Sequence, residues 1–185
     1  MTILLLGGTG KTATRTAAFL QSSNIPFLLA SRRGPDAAPQ GYPAIKFDWT
    51  DESSWRAAFD EQSIDAVYMM EPQVSQPWVP MIKFVDFARA KGTKRFVLCA
   101  GTTATRGKDG MGRVWDHFVE TGVEYCVLRP SWFMGTYIPP DWCYWLLTVH
   151  VRRKPDRARP CVYHWHIEQN IHRLWRWTHP LHQRR

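Results

Sequence analysis

The stretch Ile3-Leu4-Leu5-Leu6-Gly7-Gly8-Thr9-Gly10-Lys11-Thr12-Ala13 decides the fold. A short apolar run stops at a glycine cluster, and a helical pattern begins at once, reaching about Ser22. Gly8-x-Gly10-x-x-Ala13 fits the G-x-G-x-x-G/A fingerprint of a dinucleotide site. Gly7 and Gly8 are read as allowing a tight turn with φ > 0. Gly10 lets the backbone approach a pyrophosphate, and Ala13 lets the helix pack close to the strand. The helix N-terminus then faces the phosphates with free N–H groups and a positive dipole end. Gly7, Thr9, Gly10, Lys11 and Thr12 are therefore cofactor-binding candidates. Gly10-Lys11-Thr12 also resembles the end of a P-loop. That motif needs a glycine five positions before the Gly-Lys pair, and Leu5 stands there.

The chain has 185 residues, enough for one domain with a real core. No apolar run approaches the roughly 20 residues of a bilayer span, so no membrane partner is expected. The first six residues are too short for a signal h-region and lack a basic n-region. Cys99, Cys126, Cys143 and Cys161 show no metal-ligand spacing and no secreted framework, so they read as reduced thiols of a cytoplasmic protein with no metal. The net charge of +8 at first suggests nucleic acid. Its distribution argues otherwise: residues 1–134 carry 15 Lys/Arg against 13 Asp/Glu, and residues 135–185 carry nine against three. The excess is a property of the C-terminal part.

Up to Met134 short apolar runs alternate with amphipathic stretches. The pattern predicts strands near Thr2–Leu6, Pro26–Ala30, Ala44–Phe47, Asp65–Met69, Arg95–Cys99 and Glu124–Leu128. Helices are predicted near Lys11–Ser22, Glu52–Glu61, Trp78–Lys91 and Met111–Thr121, the last two stopped by Gly92 and Gly122. Such alternation implies an α/β fold, a Rossmann-like doubly wound parallel sheet with right-handed crossovers. The ligand should lie beyond the carboxyl ends of the strands.

The residues just after each strand therefore matter. Ser31-Arg32-Arg33 follows the second strand, where an NAD-selective site usually has an acid for the ribose 2′-hydroxyl. A hydroxyl followed by arginines suits a 2′-phosphate, so Ser31 and Arg32 point to NADPH. Asp48, after the third strand, either hydrogen-bonds the adenine amino group or caps the next helix, a role for which Asp51 and Ser53 compete. Met70 and Glu71 end the fourth strand, where the backbone should pass the cofactor riboses; Glu71 is either a carboxylate facing a cationic substrate or a surface residue. Gly101 follows the fifth strand, where small residues leave room for nicotinamide; Cys99 reads as a core thiol. A Tyr-x-x-x-Lys pair on a helix is missing. Tyr42-Pro43-Ala44-Ile45-Lys46 matches the spacing, but its proline and the strand it enters keep the side chains off one helix face. Arg113 and His117 share a helix face, and a single histidine there is more often structural.

Four segments carry a family resemblance: Leu6–Thr12, Val67–Pro72, Gly112–Phe118 and Tyr125–Met134, together with the extended short-chain dehydrogenase spacing Gly7-x-x-Gly10-x-x-Ala13. Residues 1–134 resemble the NmrA-like, atypical short-chain dehydrogenases of fungal ergot alkaloid biosynthesis. The resemblance implies reduction by NADPH of a cyclic iminium formed from chanoclavine-I aldehyde. It also explains the missing tyrosine, because an iminium carbon accepts hydride without a general acid. Trp115, Trp132 and Phe133 would then be substrate-binding aromatics for an indole and a cation, although core packing is an equal reading for each. Because folds of this family also serve as redox sensors, a non-catalytic NADP-binding protein is the alternative.

The resemblance stops at Met134, which makes residues 1–134 an NADP-binding domain. Residues 135–185 hold five of the ten tryptophans and six of the seven histidines, and read as a basic, non-native, poorly ordered tail left by a retained intron or frameshift. A sheet ending at its sixth strand would expose an edge. A helix over Ile167–Trp177, a metal at Cys161, His164, His166 and His172, and nucleic-acid stacking by His172–Trp177 are the lesser readings.

Overall fold

A computed structural model describes residues 1–60 and 62–130 in full and the backbone of two further strands, 145–152 and 161–167. Six parallel strands form the body of the sheet: β1 (Thr2–Leu6), β2 (Phe27–Ser31), β3 (Ala44–Lys46), β4 (Ile64–Met70), β5 (Arg95–Cys99) and β6 (Glu124–Pro130). Four helices connect them: α1 (Lys11–Ser22), α2 (Ser53–Asp60), α3 (Trp78–Ala90) and α4 (Met111–Thr121). The spatial order β3-β2-β1-β4-β5-β6 reverses direction between β1 and β4, which creates the crevice where doubly wound sheets bind ligands.

Both faces of the sheet are covered, and the strand sequences show it. Leu4, Leu6, Val67, Met69, Phe96 and Leu98 pack on one face beneath α2, α3 and α4. Leu5, Leu29, Tyr68 and Cys99 pack on the other with Ala13, Ala17 and Leu20 of α1. Strands buried on both sides lose the polar alternation of half-exposed ones, hence the continuous apolar runs. Phe84 of α3 centres an aromatic cluster, with ring centroids 5.3 Å from Phe47, 5.4 Å from Trp55 and 5.5 Å from Trp49. The cluster locks α2 and α3 against the end of β3. The glycine stops hold: Gly92 and Gly122 have φ of +98° and +69°.

The sheet continues beyond the sixth strand, which corrects the bare edge expected at β6. β7 (Trp145–Arg152) pairs antiparallel with β6, and β8 (Cys161–Ile167) pairs antiparallel with β7. An unpaired edge presents a row of free N–H and C=O groups, and these segments are rich in the β-branched and aromatic residues that suit a strand. Ile167 ends β8; the rest of the helix expected there lies outside the described residues. Among the described residues no helix is long and apolar enough to cross a membrane.

Candidate functional site: the crevice at the strand ends

The turn after β1 sits at the centre of the carboxyl edge. Gly7 is left-handed (φ +71°), and a Cβ on it would lie 3.4 Å from Cβ of Met70 at the end of β4. The Gly10 N–H donates to the Gly7 carbonyl at 2.8 Å and closes the turn. Gly8 serves differently from the sequence reading. It is not among the left-handed glycines. A Cβ there would fall 2.8 Å from the Ala30 nitrogen and 2.9 Å from Leu29 Cβ, so it is small because the turn lies against β2. Its N–H donates to the Ala30 carbonyl at 2.9 Å.

Helix α1 starts with Gly10 as an extended N-cap, with no side-chain cap and no acid in its first turn. Its first amides are thus free of side-chain competition, and with the dipole they form an anion site. A dinucleotide pyrophosphate fits this cradle. Lys11 is exposed beside it, and Thr9 and Thr12 are half-buried.

On one side lie the ends of β2 and β3. Ser31 is half-buried and Arg32 exposed. Asp48 is close enough to Arg32 to feel its charge. The Asp48 carboxyl accepts the Thr50 N–H at 2.9 Å and the Thr50 hydroxyl at 2.8 Å. These bonds hold it below the usual carboxylate range; Arg32 and Lys46 add to that, and partial burial opposes it. Asp51, not Asp48, receives the Ser53 N–H at 3.0 Å and its hydroxyl at 2.6 Å at the start of α2, which settles the capping competition. The Asp48 main chain is fixed by its own partners: its N–H donates to Ser54 Oγ at 2.9 Å, and Trp55 Nε1 donates to its carbonyl at 2.8 Å. A cleft of about 270 Å³ opens beside it, walled by Trp49, Val74, Gln76 and Val79.

On the other side lie the ends of β4, β5 and β6. Met70 is half-buried beneath the glycine turn, and Glu71 and Gly101 are exposed. Cys99 pairs in register with Met70 and is buried, as a core thiol should be. Tyr68, which sequence reasoning passed over, places its hydroxyl against both the Thr12 hydroxyl and the Cys99 thiol, tying α1 to β4 and β5. Burial pushes the Tyr68 phenol far up and the Cys99 thiol up. Arg129, at the end of β6, donates to the Thr102 carbonyl, while its buried Nε has no partner among the described residues.

Several side chains fall elsewhere. Trp115 is 7% exposed and packs in the core with Val114 and Phe118 on the inward face of α4. Of the two readings given for Trp115, core packing is the one this burial fits, since the same helical spacing that exposes a stripe to ligand can turn it onto the sheet. Trp132 and Phe133 lie outside the described residues. His117 Nε2 sits 2.8 Å from Asp86 Oδ1, linking α4 to α3, which is the structural role expected of it. Arg113 stacks over Trp78 (5.4 Å) and pairs with Asp109 at 2.6 Å. Tyr42 packs edge-on against Phe27 at 5.4 Å while Lys46 lies beside Gly34, so they form no catalytic pair.

Residues 3–114 match the family described as the NAD dependent epimerase/dehydratase family. The chain belongs to that family. Among curated proteins it is 41% identical to festuclavine synthase II of Penicillium roqueforti over 72% of this chain and 48% of that protein. It is 38% identical to agroclavine dehydrogenase of Claviceps fusiformis over 74% of this chain and 48% of that one. The chain thus spans about half the length of these relatives. The fold matches the triphenylmethane reductase of Citrobacter sp., solved with NADP(H), at a TM-score of 0.61 and 16% identity, over 75% of this chain and 52% of that one. A Rossmann-fold NAD(P)-binding family protein of Shigella flexneri matches at 0.57 and 24%, over 71% and 67%. The family match and the fold agree on a Rossmann-like NAD(P)-binding architecture, and the curated relatives include a festuclavine synthase and an agroclavine dehydrogenase.

Proposed function

We propose that this protein reduces a cyclic iminium derived from chanoclavine-I aldehyde to a clavine alkaloid, agroclavine or festuclavine, with NADPH as the reductant. The observation that carries the reading is the pairing of an uncapped α1 N-terminus with Arg32 at the end of β2. The first suits a pyrophosphate, and the second suits a 2′-phosphate, with Ser31 as a further donor. Asp48 is ionised and steadied for the adenine amino group, and the Trp49 cleft flanks that end.

Bound NADPH supplies the hydride. Its transfer from the nicotinamide would convert the iminium to a neutral amine and leave the cofactor oxidised. No proton transfer would be needed, because the iminium carbon is already electrophilic. The protein's part is to orient the reactants and exclude water. Met70 and Gly101 bound the nicotinamide end, and Glu71 offers a carboxylate near a cationic substrate. Trp132 and Phe133, which lie outside the described residues, are the aromatic candidates for the indole. Residues 1–134 act as the NADP-binding unit, the partner is a small indole alkaloid, and the reduced Cys99 and Cys126 suit a cytoplasmic setting.

The test is NADPH oxidation by the purified protein with chanoclavine-I aldehyde and an amine or thiol that promotes iminium formation, with product identified by mass. A clavine product supports the reading. Tight NADPH binding without turnover identifies a non-catalytic NADP-binding protein instead.

A further inference from the structure

We propose that Asp116 is a positioning residue that holds the β5–α4 loop, residues 101–110, at the nicotinamide end of the crevice. The inference rests on the NADPH reading. The loop leaves β5 at Cys99, in register with Met70, which packs under the glycine turn. It therefore opens beside the pyrophosphate cradle, on the half of the sheet opposite Arg32. Of its ten residues Ala104 is buried, Gly110 is half-buried and the rest are exposed. A segment with so little core of its own takes its shape from polar ties.

The central tie is one carboxylate. Asp116 Oδ2 accepts the Gly107 N–H at 2.7 Å, and Oδ1 accepts Arg106 Nε at 3.1 Å. Both bonds are charge-assisted, and both reach from a rigid helix to the middle of the loop. The helix can come this close because Gly112 has no side chain: a Cβ there would lie 2.1 Å from the Thr105 carbonyl oxygen. Arg129 holds the near end of the loop at the Thr102 carbonyl, and Arg113 holds the far end at Asp109. Asp116 acts on the cofactor only through the loop.

The test compares two ligands by calorimetry on the full chain. NADPH fills both halves of the crevice, whereas 2′,5′-ADP fills only the adenosine half. Asp116→Ala is expected to weaken NADPH about five- to tenfold while leaving 2′,5′-ADP within about twofold. Asp116→Asn, which keeps an oxygen acceptor for Gly107, should recover most of the loss. Hydrogen exchange at residues 105–108 should quicken in the alanine variant. Equal weakening of both ligands, or unchanged NADPH affinity, overturns the inference whatever happens to Tm. If the unmodified chain binds neither ligand, the NADPH reading itself fails and this inference falls with it, a result distinct from a failure confined to the variants.

Discussion

Gly8→Ala tests the architecture of the cofactor turn. The added methyl would sit 2.8 Å from the Ala30 nitrogen and 2.9 Å from Leu29 Cβ, where ordinary contacts begin at 3.4 Å. Because Ala30 and Leu29 are buried in β2, the turn must move by roughly half an ångström or more against a packed strand. Overpacking of this kind costs about 1–3 kcal/mol. In a chain of this size each kcal/mol lowers Tm by about 2–4 °C, so a fall of about 2–12 °C is expected. The displaced turn carries the first amides of α1 with it. Losing one hydrogen bond to a charged group costs about 1.5–3 kcal/mol, so NADPH should bind at least about tenfold more weakly. Differential scanning fluorimetry and titration calorimetry read the two effects. Gly41→Ala is the control: Gly41 is left-handed (φ +82°) with nothing within 4 Å of its Cβ position, so it should lose stability without losing NADPH. A Gly8→Ala protein with unchanged Tm and unchanged affinity would refute the packing argument.

Arg32→Ala should weaken NADPH about ten- to hundredfold and leave NADH within about twofold, measured by calorimetry. The Asp48 carboxyl is held below the usual carboxylate range in the folded protein, so its ionised form favours folding. That contribution is complete above about pH 5 and is lost as pH falls through the folded pKa; the Tm gap between the native chain and Asp48→Asn should close along that path. Trp115→Ala should cost about 3–5 kcal/mol by urea denaturation, as expected of a core tryptophan. Trp115→Phe should lower Tm while leaving KM for the iminium unchanged, whereas a raised KM with normal Tm would return Trp115 to the substrate site.

The parallel sheet was legible because strands buried on both faces announce themselves as apolar runs, and each is bounded by a turn or cap residue. The crevice at the strand ends was legible because its position follows from strand order, so Gly7, Gly10, Arg32 and Asp48 could be placed beside it from where the strands end. Packing was less legible. Trp115 and a ligand-facing tryptophan share the same helical spacing, and only the placement of α4 on the sheet tells them apart. Tyr68 reads as one more apolar position of β4, yet its hydroxyl joins Thr12 and Cys99 across three elements. Asp116 reads as a surface charge until the loop folds back onto it. The β7–β8 hairpin was missed because a parallel pattern had ended, and its residues alternate in a way that suits an antiparallel edge.

The central claim is a dinucleotide site built for a 2′-phosphate. Calorimetric titration of the purified chain with NADPH and then NADH tests it most directly. One site with NADPH at least about tenfold tighter than NADH is the predicted result. Equal affinities, or NADH the tighter of the two, would contradict the role given to Ser31 and Arg32, and binding of neither would contradict the site itself.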